Sequence, residues 1–207
     1  QRRERTLHQP LHCPGTMRRR HFIKTGLIFV PTLVRAQVFP PAFWGPAPAA
    51  AAGLTSVITG QTPGTPRNDF TGRLGFQFDV GASPITVKTL GRWVISGNSG
   101  THTVRLADST GLTLGTVSVD TTLGTPGQFL YATLGAPIVL SAITTYRILS
   151  NETLLGDQWY SNDTSITVTS VITVPSDQGA CFSADADSLG TVVGPANSSY
   201  VPVSFQY

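Results

Sequence analysis

The chain has 207 residues, about the length of one domain, and only 12% of them are Asp, Glu, Lys or Arg, against a usual fraction of about 25%. Its 21 glycines and 15 prolines favour short strands joined by tight turns. Of the 14 basic and 11 acidic residues, eight basic and one acidic lie before residue 37, so the rest of the chain has a net charge of −4. This charge excludes nucleic acid as a partner, because binding phosphates needs a basic surface.

The first 36 residues are predicted to precede the mature protein. Residues 1–16 show no apolar periodicity, and we expect an upstream extension without structure of its own. Residues 17–36 have the three parts of an export signal peptide: a basic start (17–21), an apolar stretch (25–34) and a small-x-small cleavage sequence (34–36). Ten apolar residues are too few to cross a bilayer, which takes about 20, so we predict export and no stable membrane span.

Four residues of this signal resemble the twin-arginine export signal of bacteria: Arg19, Arg20, Phe22 and Lys24. A Ser or Thr usually precedes the arginine pair, and Arg18 stands there instead. An ordinary secretory signal with a basic start therefore remains the alternative. Both routes predict cleavage after Ala36 and a location outside the cell or at the cell surface of a bacterium.

The next segment, residues 37–53, is rich in Pro and Ala, and repeated Pro favours an extended linker over a sheet interior. Cys13 lies in the upstream extension, so cleavage would leave Cys181 as the only cysteine. A lone cysteine excludes an intramolecular disulfide. It leaves a buried thiol or an intermolecular pair as the alternatives.

From residue 54 to the end, apolar residues alternate with polar ones, which indicates strands with one face in a core. Leu74, Phe76 and Phe78 form one such run, with Gln77 on the opposite face. Sequences rich in Gly, Asn, Ser and Pro separate the runs at short intervals. About ten short strands over residues 54–207 predict an all-β domain, an antiparallel β-sandwich of jelly-roll-like type.

One strand is expected to contain a bulge. Leu112 and Leu114 alternate with polar residues, and so do Val117 and Val119, but the two pairs have opposite parity. Gly115 lies between them, so we expect a bulge there.

The final strand, residues 201–207, alternates apolar with polar residues and contains Pro202. Proline cannot donate a ladder hydrogen bond, which predicts an edge position. An apolar edge strand suits self-association by strand addition between copies, and the same pattern is also that of an ordinary last strand.

Several motifs resemble the uncharacterised β-sandwich modules of bacterial exported multidomain surface proteins. They are Asn68-Asp69-Phe70-Thr71-Gly72, Leu90-Gly91-Arg92-Trp93, Gly97-Asn98-Ser99-Gly100-Thr101-His102-Thr103-Val104, Gly156-Asp157-Gln158-Trp159-Tyr160 and the ending Tyr200-Val201-Pro202-Val203-Ser204-Phe205. Such domains of unknown function accompany carbohydrate-active, immunoglobulin-like and LamG-like modules. The resemblance implies a module type and brings no ligand with it.

No catalytic constellation is predicted, and we expect the protein not to be an enzyme. His102 is the only histidine after the signal, and its place on an alternating strand favours a core or strand-edge imidazole over a general base. One His and one Cys cannot make a four-ligand zinc site, so no metal and no cofactor is expected. Calcium binds oxygen ligands, and two loop clusters could supply them. The first is Asp157, Asn162 and Asp163, and the second is Asp177, Asp185 and Asp187. Solvated turn residues are the alternative.

The one candidate binding site lies in the segment 157–163, where two adjacent aromatic residues stand among amides and carboxylates. Its residues are Trp159, Tyr160, Asp157, Gln158 and Asn162. An aromatic ring can pack on the C–H face of a sugar while polar groups bind its hydroxyls. The alternative is that Trp159 is core and Tyr160 a rim residue, and strand alternation allows at most one of them in the core.

Together these features predict a non-catalytic extracellular module that binds glycan or a cell-surface protein. A structural spacer, an adhesin segment or a filament subunit with no small ligand is the alternative.

Overall fold

The computed structural model describes residues 53–175, 180–183 and 190–207, with the side chains of 180–182 excepted. The predicted extension (1–16), the export signal with Arg19, Arg20, Phe22, Lys24 and Ala36, and the linker up to residue 52 lie outside these residues. So do Asp177, Asp185 and Asp187 and the side chain of Cys181.

Strands make up the fold, and the helical structure among the described residues is one 3₁₀ turn, Thr121–Leu123. The strands are β1 (Ile58–Thr62), β2 (Pro66–Arg67), β3 (Gly72–Val80), β4 (Ile85–Trp93), β5 (Thr101–Asp108), β6 (Thr113–Asp120), β7 (Phe129–Leu140), β8 (Thr145–Glu152), β9 (Trp159–Tyr160), β10 (Thr164–Val168), β11 (Ile172–Thr173), β12 (Ala180–Ser183), β13 (Thr191–Val193), β14 (Ser198–Ser199) and β15 (Val203–Gln206). All pairings are antiparallel, so the predicted all-β sandwich is confirmed.

The first sheet has the strand order β13-β12-β3-β8-β5-β6, and β11 also pairs with β3. Its centre is long and regular: β3 and β8 pair from Gly72 opposite Glu152 to Asp79 opposite Thr145. On the other side of β8, Val104 of β5 lies opposite Ser150. This register brings the ends of β5 and β8 together at the site described below.

The second sheet has the order β15-β4-β7. It continues past β15, because the N–H of Val57 donates to the Phe205 carbonyl and Thr55 and Tyr207 exchange two backbone hydrogen bonds. The chain then runs into β1, which pairs with β10 and through it with β14. The last strand is nevertheless the end strand of this three-stranded sheet, as predicted. Residues 55–57 hydrogen-bond to its outer side at Phe205 and Tyr207, so that part of β15 is not a free edge.

The core lies between the two sheets. Leu74, Phe76 and Phe78 of β3 are all buried, as their alternation predicts. Phe78 contacts Phe205 of the second sheet, with ring centroids 5.3 Å apart. Gln77 lies on the other face, where its Oε1 accepts a hydrogen bond from Nε of Arg147 at 3.0 Å. The predicted orientation of β3 is therefore confirmed.

The bulge expected in β6 is also present. Leu106 lies opposite Gly115 and the next residue, Ala107, opposite Thr113, so Leu114 is the extra residue. The shift places Val117 and Val119 in the core and leaves Leu114 partly buried against it.

A second irregularity, which was not predicted, lies between β4 and β7. Val87 pairs with Ile138, but Thr89 pairs with Thr133, so β7 has extra residues at this point. The shift changes the parity of β4, and the later part of the strand turns Leu90 and Arg92 inward. Arg92 is thereby placed between the sheets.

Candidate functional site

The two predicted aromatic residues form β9 and face opposite ways. Trp159 is only 1% exposed and belongs to the hydrophobic core. Its ring meets Tyr200 edge-on with centroids 5.8 Å apart, and the guanidinium of Arg67 lies 5.0 Å from its centroid. These contacts close its faces to solvent, as in the alternative that places Trp159 in the core. Tyr160 is half-buried.

The structure divides the five candidate residues into two groups. Asp157 and Gln158 line a surface cleft, whereas Tyr160 and Asn162 do not belong to its lining. Asn162 is half-buried beside Ser161, whose hydroxyl donates to its Oδ1 at 3.3 Å. The segment therefore does not act as one patch, and the cleft is the site to describe.

The loop cleft has a volume of about 710 Å³. Its walls are the β4–β5 loop (96–100) and the β8–β9 loop (153–158). Its floor is formed by the first residues of β5 and the last residues of β8. The lining residues are mostly hydroxyl, amide and glycine residues: Ser96, Gly97, Asn98, Ser99, Gly100, Thr101, His102, Thr103, Asn151, Thr153, Leu155, Gly156, Asp157 and Gln158. The exposed side chains of Thr101, Thr103 and Asn151 lie on the outer face of the first sheet.

The side-chain amide of Asn98 joins the two walls through a donor and an acceptor bond to the backbone of Gln158. The Asn98 amide donates from Nδ2 to the Gln158 carbonyl at 2.9 Å and accepts the Gln158 N–H at Oδ1 at 3.0 Å. Gly97 has φ +90°, a conformation that favours glycine, and it turns the β4–β5 loop toward Gln158. The loop is thus held in one position.

Asp157 is the second and stronger connection between the walls. Its Oδ1 accepts the N–H of Ser99 at 2.8 Å, and its Oδ2 accepts the N–H of Gly100 at 2.9 Å. The same Oδ2 accepts the Thr121 hydroxyl at 2.8 Å and lies 2.9 Å from Nε2 of His102. One carboxylate therefore ties together the β8–β9 loop, the β4–β5 loop, β5 and the 3₁₀ turn.

His102 lies beneath the cleft with both ring nitrogens engaged. Nδ1 is 2.8 Å from the carbonyl oxygen of Asn151, and Nε2 faces the carboxylate of Asp157. Both ring nitrogens therefore contact acceptor atoms of the protein, a backbone carbonyl on one side and a carboxylate on the other.

A buried ion pair lies next to His102 and joins the two sheets. Arg92 of β4 and Glu152 of β8 have fully buried side chains, and the guanidinium binds the carboxylate through two hydrogen bonds of 3.2 and 3.0 Å. Arg92 also donates to the carbonyl of Gln158 at 3.2 Å, and Ser150 donates to Glu152 at 2.7 Å. The ion pair therefore supports one wall of the cleft from below.

The hydrogen bonds of Asp157 shift its pKa. Burial by itself would raise the pKa of this carboxyl group, but the donors Ser99, His102, Gly100 and Thr121 outweigh it and lower the pKa to about 2 from an ordinary 3.8. A depressed pKa means that the folded state favours the ionised form. Asp157 thus stabilises the fold above its unfolded pKa, and this stabilisation is lost as the pH falls toward 2.

We expect Asp157→Asn to cost about 1–2 kcal/mol of unfolding free energy at pH 7, allowing for the partial solvation of the carboxyl group. The difference from the wild type should shrink as the pH falls from about 4 to 2, where the wild type also loses the charge. Urea denaturation at several pH values measures both effects. Asp69→Asn, at an exposed carboxylate, should show a much smaller difference, and a constant difference for Asp157→Asn across this range would contradict the assignment.

The first calcium cluster of the sequence is not assembled. Asp157 binds the β4–β5 loop, while Asp163 accepts hydrogen bonds from the N–H and hydroxyl of Thr65 at 2.9 and 2.6 Å. Among the described residues no group of three or more His, Cys, Asp or Glu side chains is placed to hold a metal ion. No helix in the described part of the chain is long and apolar enough to span a membrane.

The loop cleft was not predicted as a unit, because it combines residues about 50 positions apart. A local signal was present in both walls: residues 96–100 form a polar, glycine-containing turn, and residues 153–158 contain Gly156, Asp157 and Gln158 after two leucines. Thr101, Thr103 and Asn151 have no distinguishing pattern. Their proximity follows from the register of β5 and β8.

Fold and site together define a small all-β sandwich module with a polar cleft at one end of a sheet. A family model matches residues 61–200, which is more than half of the chain, and the chain belongs to that family, the domain of unknown function DUF4082. The resemblance to uncharacterised modules is confirmed at this level. The comparison with curated proteins found no match.

Proposed function

We propose that this domain is a non-catalytic module of an exported bacterial protein and that it binds polysaccharide in the loop cleft. The observation that supports the proposal is the pair of cleft walls held in place by Asp157 and Asn98 and lined by hydroxyl and amide groups. Binding sites use a few placed polar groups on a concave surface. Hydroxyl and amide side chains both donate and accept, which suits the hydroxyl groups of a sugar.

The fixed loops favour binding energetically. A loop that must be ordered on binding reduces the affinity, whereas one already held by its own hydrogen bonds does not. Both walls have such bonds, to Gln158 on one side and to Ser99 and Gly100 on the other. The cleft can therefore bind a weakly interacting ligand without a large loss of loop entropy.

The contacts of His102 support the non-catalytic part of the proposal. A general base needs a ring nitrogen within reach of the substrate proton. Here Nδ1 is occupied by the carbonyl of Asn151 and Nε2 by Asp157, and the ring itself is buried. His102 and Asp157 hold the cleft walls together, and both ring nitrogens of His102 are already engaged with protein atoms.

Export rests on the signal-like residues 17–36, with Arg19, Arg20, Phe22 and Lys24 favouring the twin-arginine route. N-terminal sequencing of the exported protein tests this part. A start far from Gln37 would contradict it.

Removing a hydroxyl group from the cleft floor tests the binding site. We expect Thr103→Val to weaken binding of a soluble polysaccharide about two- to tenfold, the usual effect of one lost hydrogen bond, with unchanged stability. Wild-type affinity for one short segment of sugar should be near millimolar, about −4 kcal/mol. Chemical-shift titration with oligosaccharides measures the affinity.

The matched control is Thr116→Val, which removes the same hydroxyl from an exposed position on β6 outside the cleft lining. It should leave binding unchanged. Equal affinities for wild type, Thr103→Val and Thr116→Val would place the binding site elsewhere.

A structural module without a ligand is the second candidate, and the burial of Trp159 favours it, because the larger of the two candidate aromatic rings is used for packing. This candidate expects no saturable binding of any soluble polysaccharide. It further expects assembly that depends on protein concentration if the module is a filament subunit, which sedimentation measurements would detect.

A further inference from the structure

We infer that Leu155 is the apolar contact of the loop cleft and that the cleft takes a neutral saccharide, one that presents a C–H face to this side chain. The inference rests on the proposed function and names its ligand class. It combines three observations: the backbone conformation of Leu155, its exposure, and the charge balance of the cleft.

Leu155 occupies a conformation that leucine normally avoids. The N–H of Gly156 donates to the carbonyl of Thr153 at 2.9 Å and closes a turn in which Leu155 is the third residue, with φ +59°. Gly or Asn is the usual residue at a turn position with positive φ, because a Cβ is strained there. The loop nevertheless keeps this position, since the N–H of Leu155 donates to the carbonyl of Asn68 at 2.7 Å.

Packing of the leucine side chain does not offset this strain. It is 77% exposed, yet it lines the loop cleft, where its neighbours are polar. Strain held at an exposed position is a reason to look for a function there. Adjacent Leu154 is exposed too, but it is not part of the cleft lining, which makes Leu155 the apolar group that a ligand in the cleft would meet.

The charges of the cleft indicate an uncharged ligand. Among its described lining residues only His102 and Asp157 can ionise, and they bind each other at 2.9 Å. A uronic acid or a sulfated sugar would therefore find no cation among the lining residues that is free of a counter-charge. Arg73 lies outside the lining, and its Nε donates to Oδ1 of the lining residue Asn151 at 3.2 Å. A neutral sugar offers hydroxyl groups for Thr101, Thr103 and Asn151 and a C–H face for Leu155.

The experiment replaces Leu155 by glycine in the full chain. Leu155→Gly removes the apolar contact and the backbone strain together, so the urea midpoint should not fall, while the dissociation constant for a neutral polysaccharide should rise about fivefold or more. Leu155→Met, which keeps an apolar side chain, should bind within about twofold of wild type. The probes are soluble β-glucan, xylan and mannan as neutral polymers, and alginate and polygalacturonate as anionic ones.

Ile143→Gly is the matched control, because Ile143 has φ +53° and is 86% exposed but is not among the cleft lining residues. It should match Leu155→Gly in stability and wild type in binding.

Unchanged binding in Leu155→Gly with weaker binding in Thr103→Val overturns the role of Leu155 and keeps the proposed function. Binding of the anionic polymers alone overturns the neutral ligand class. No binding of any polymer, or binding that neither variant weakens, overturns the proposed function itself.

Discussion

Glu152→Gln is expected to lower the free energy of unfolding by about 3–5 kcal/mol, the usual cost of breaking a buried ion pair from one side. The change keeps the shape of the side chain but removes its charge, and the fully buried guanidinium of Arg92 then lacks its counter-charge. The carbonyl groups of Trp93 and Gln158 accept from Arg92 but do not neutralise it. Urea denaturation at pH 7 measures the loss.

The control for this prediction is an ion pair on the surface. Asp69 binds Arg67 at 2.9 Å, and both side chains are well exposed. Asp69→Asn should therefore cost much less than Glu152→Gln, because exposed ion pairs contribute little.

The double variant Arg92→Met with Glu152→Leu should lose less stability than the two single changes added together, since each single change leaves one charge unpaired. Equal losses at the buried and the exposed pair would mean that water reaches Arg92.

Phe76→Ala is the second large effect, with an expected loss of about 3–5 kcal/mol. Phe76 is fully buried in the middle of β3, and its ring centroid lies 5.8 Å from that of Phe78. Truncation leaves a cavity between two sheets that are each held by their own hydrogen bonds and cannot close over it. The shift of the urea midpoint at constant slope gives the value.

Gln77→Ala is the comparison within the same strand. Gln77 faces the other side of the sheet, where it accepts one hydrogen bond from Arg147, so its loss should cost about 1 kcal/mol. If the two variants lose equal stability, the core does not lie on the Phe76 face of β3.

Much of the fold could be predicted from local pattern. The alternation of Leu74, Phe76 and Phe78 predicted their buried face, and opposite parity around Gly115 predicted the bulge in β6. Both succeed because a strand has a period of two residues and shows its buried face in its own sequence. The last strand is an end strand of its sheet, as Pro202 predicted, but its sequence does not show that residues 55–57 hydrogen-bond to its outer side.

The candidate site was predicted only in part. Asp157 and Gln158 belong to the loop cleft, but the expected ring, Trp159, packs inward. Alternation requires Trp159 and Tyr160 to face opposite ways and does not say which of them faces the core. That choice depends on Tyr200 and Arg67, which reach Trp159 from distant parts of the chain.

The sequence by itself therefore determined the all-β class, the buried face of β3 and the polar turn at 97–100 that forms one wall of the cleft, because these depend on spacing within a few residues. Only the tertiary structure decided that Arg92 lies between the sheets and that Asp157 joins two loops. The first depends on the shift in register between β4 and β7, and the second on the pairing of β5 with β8. Register is a property of two strands, so neither strand's own sequence contains it.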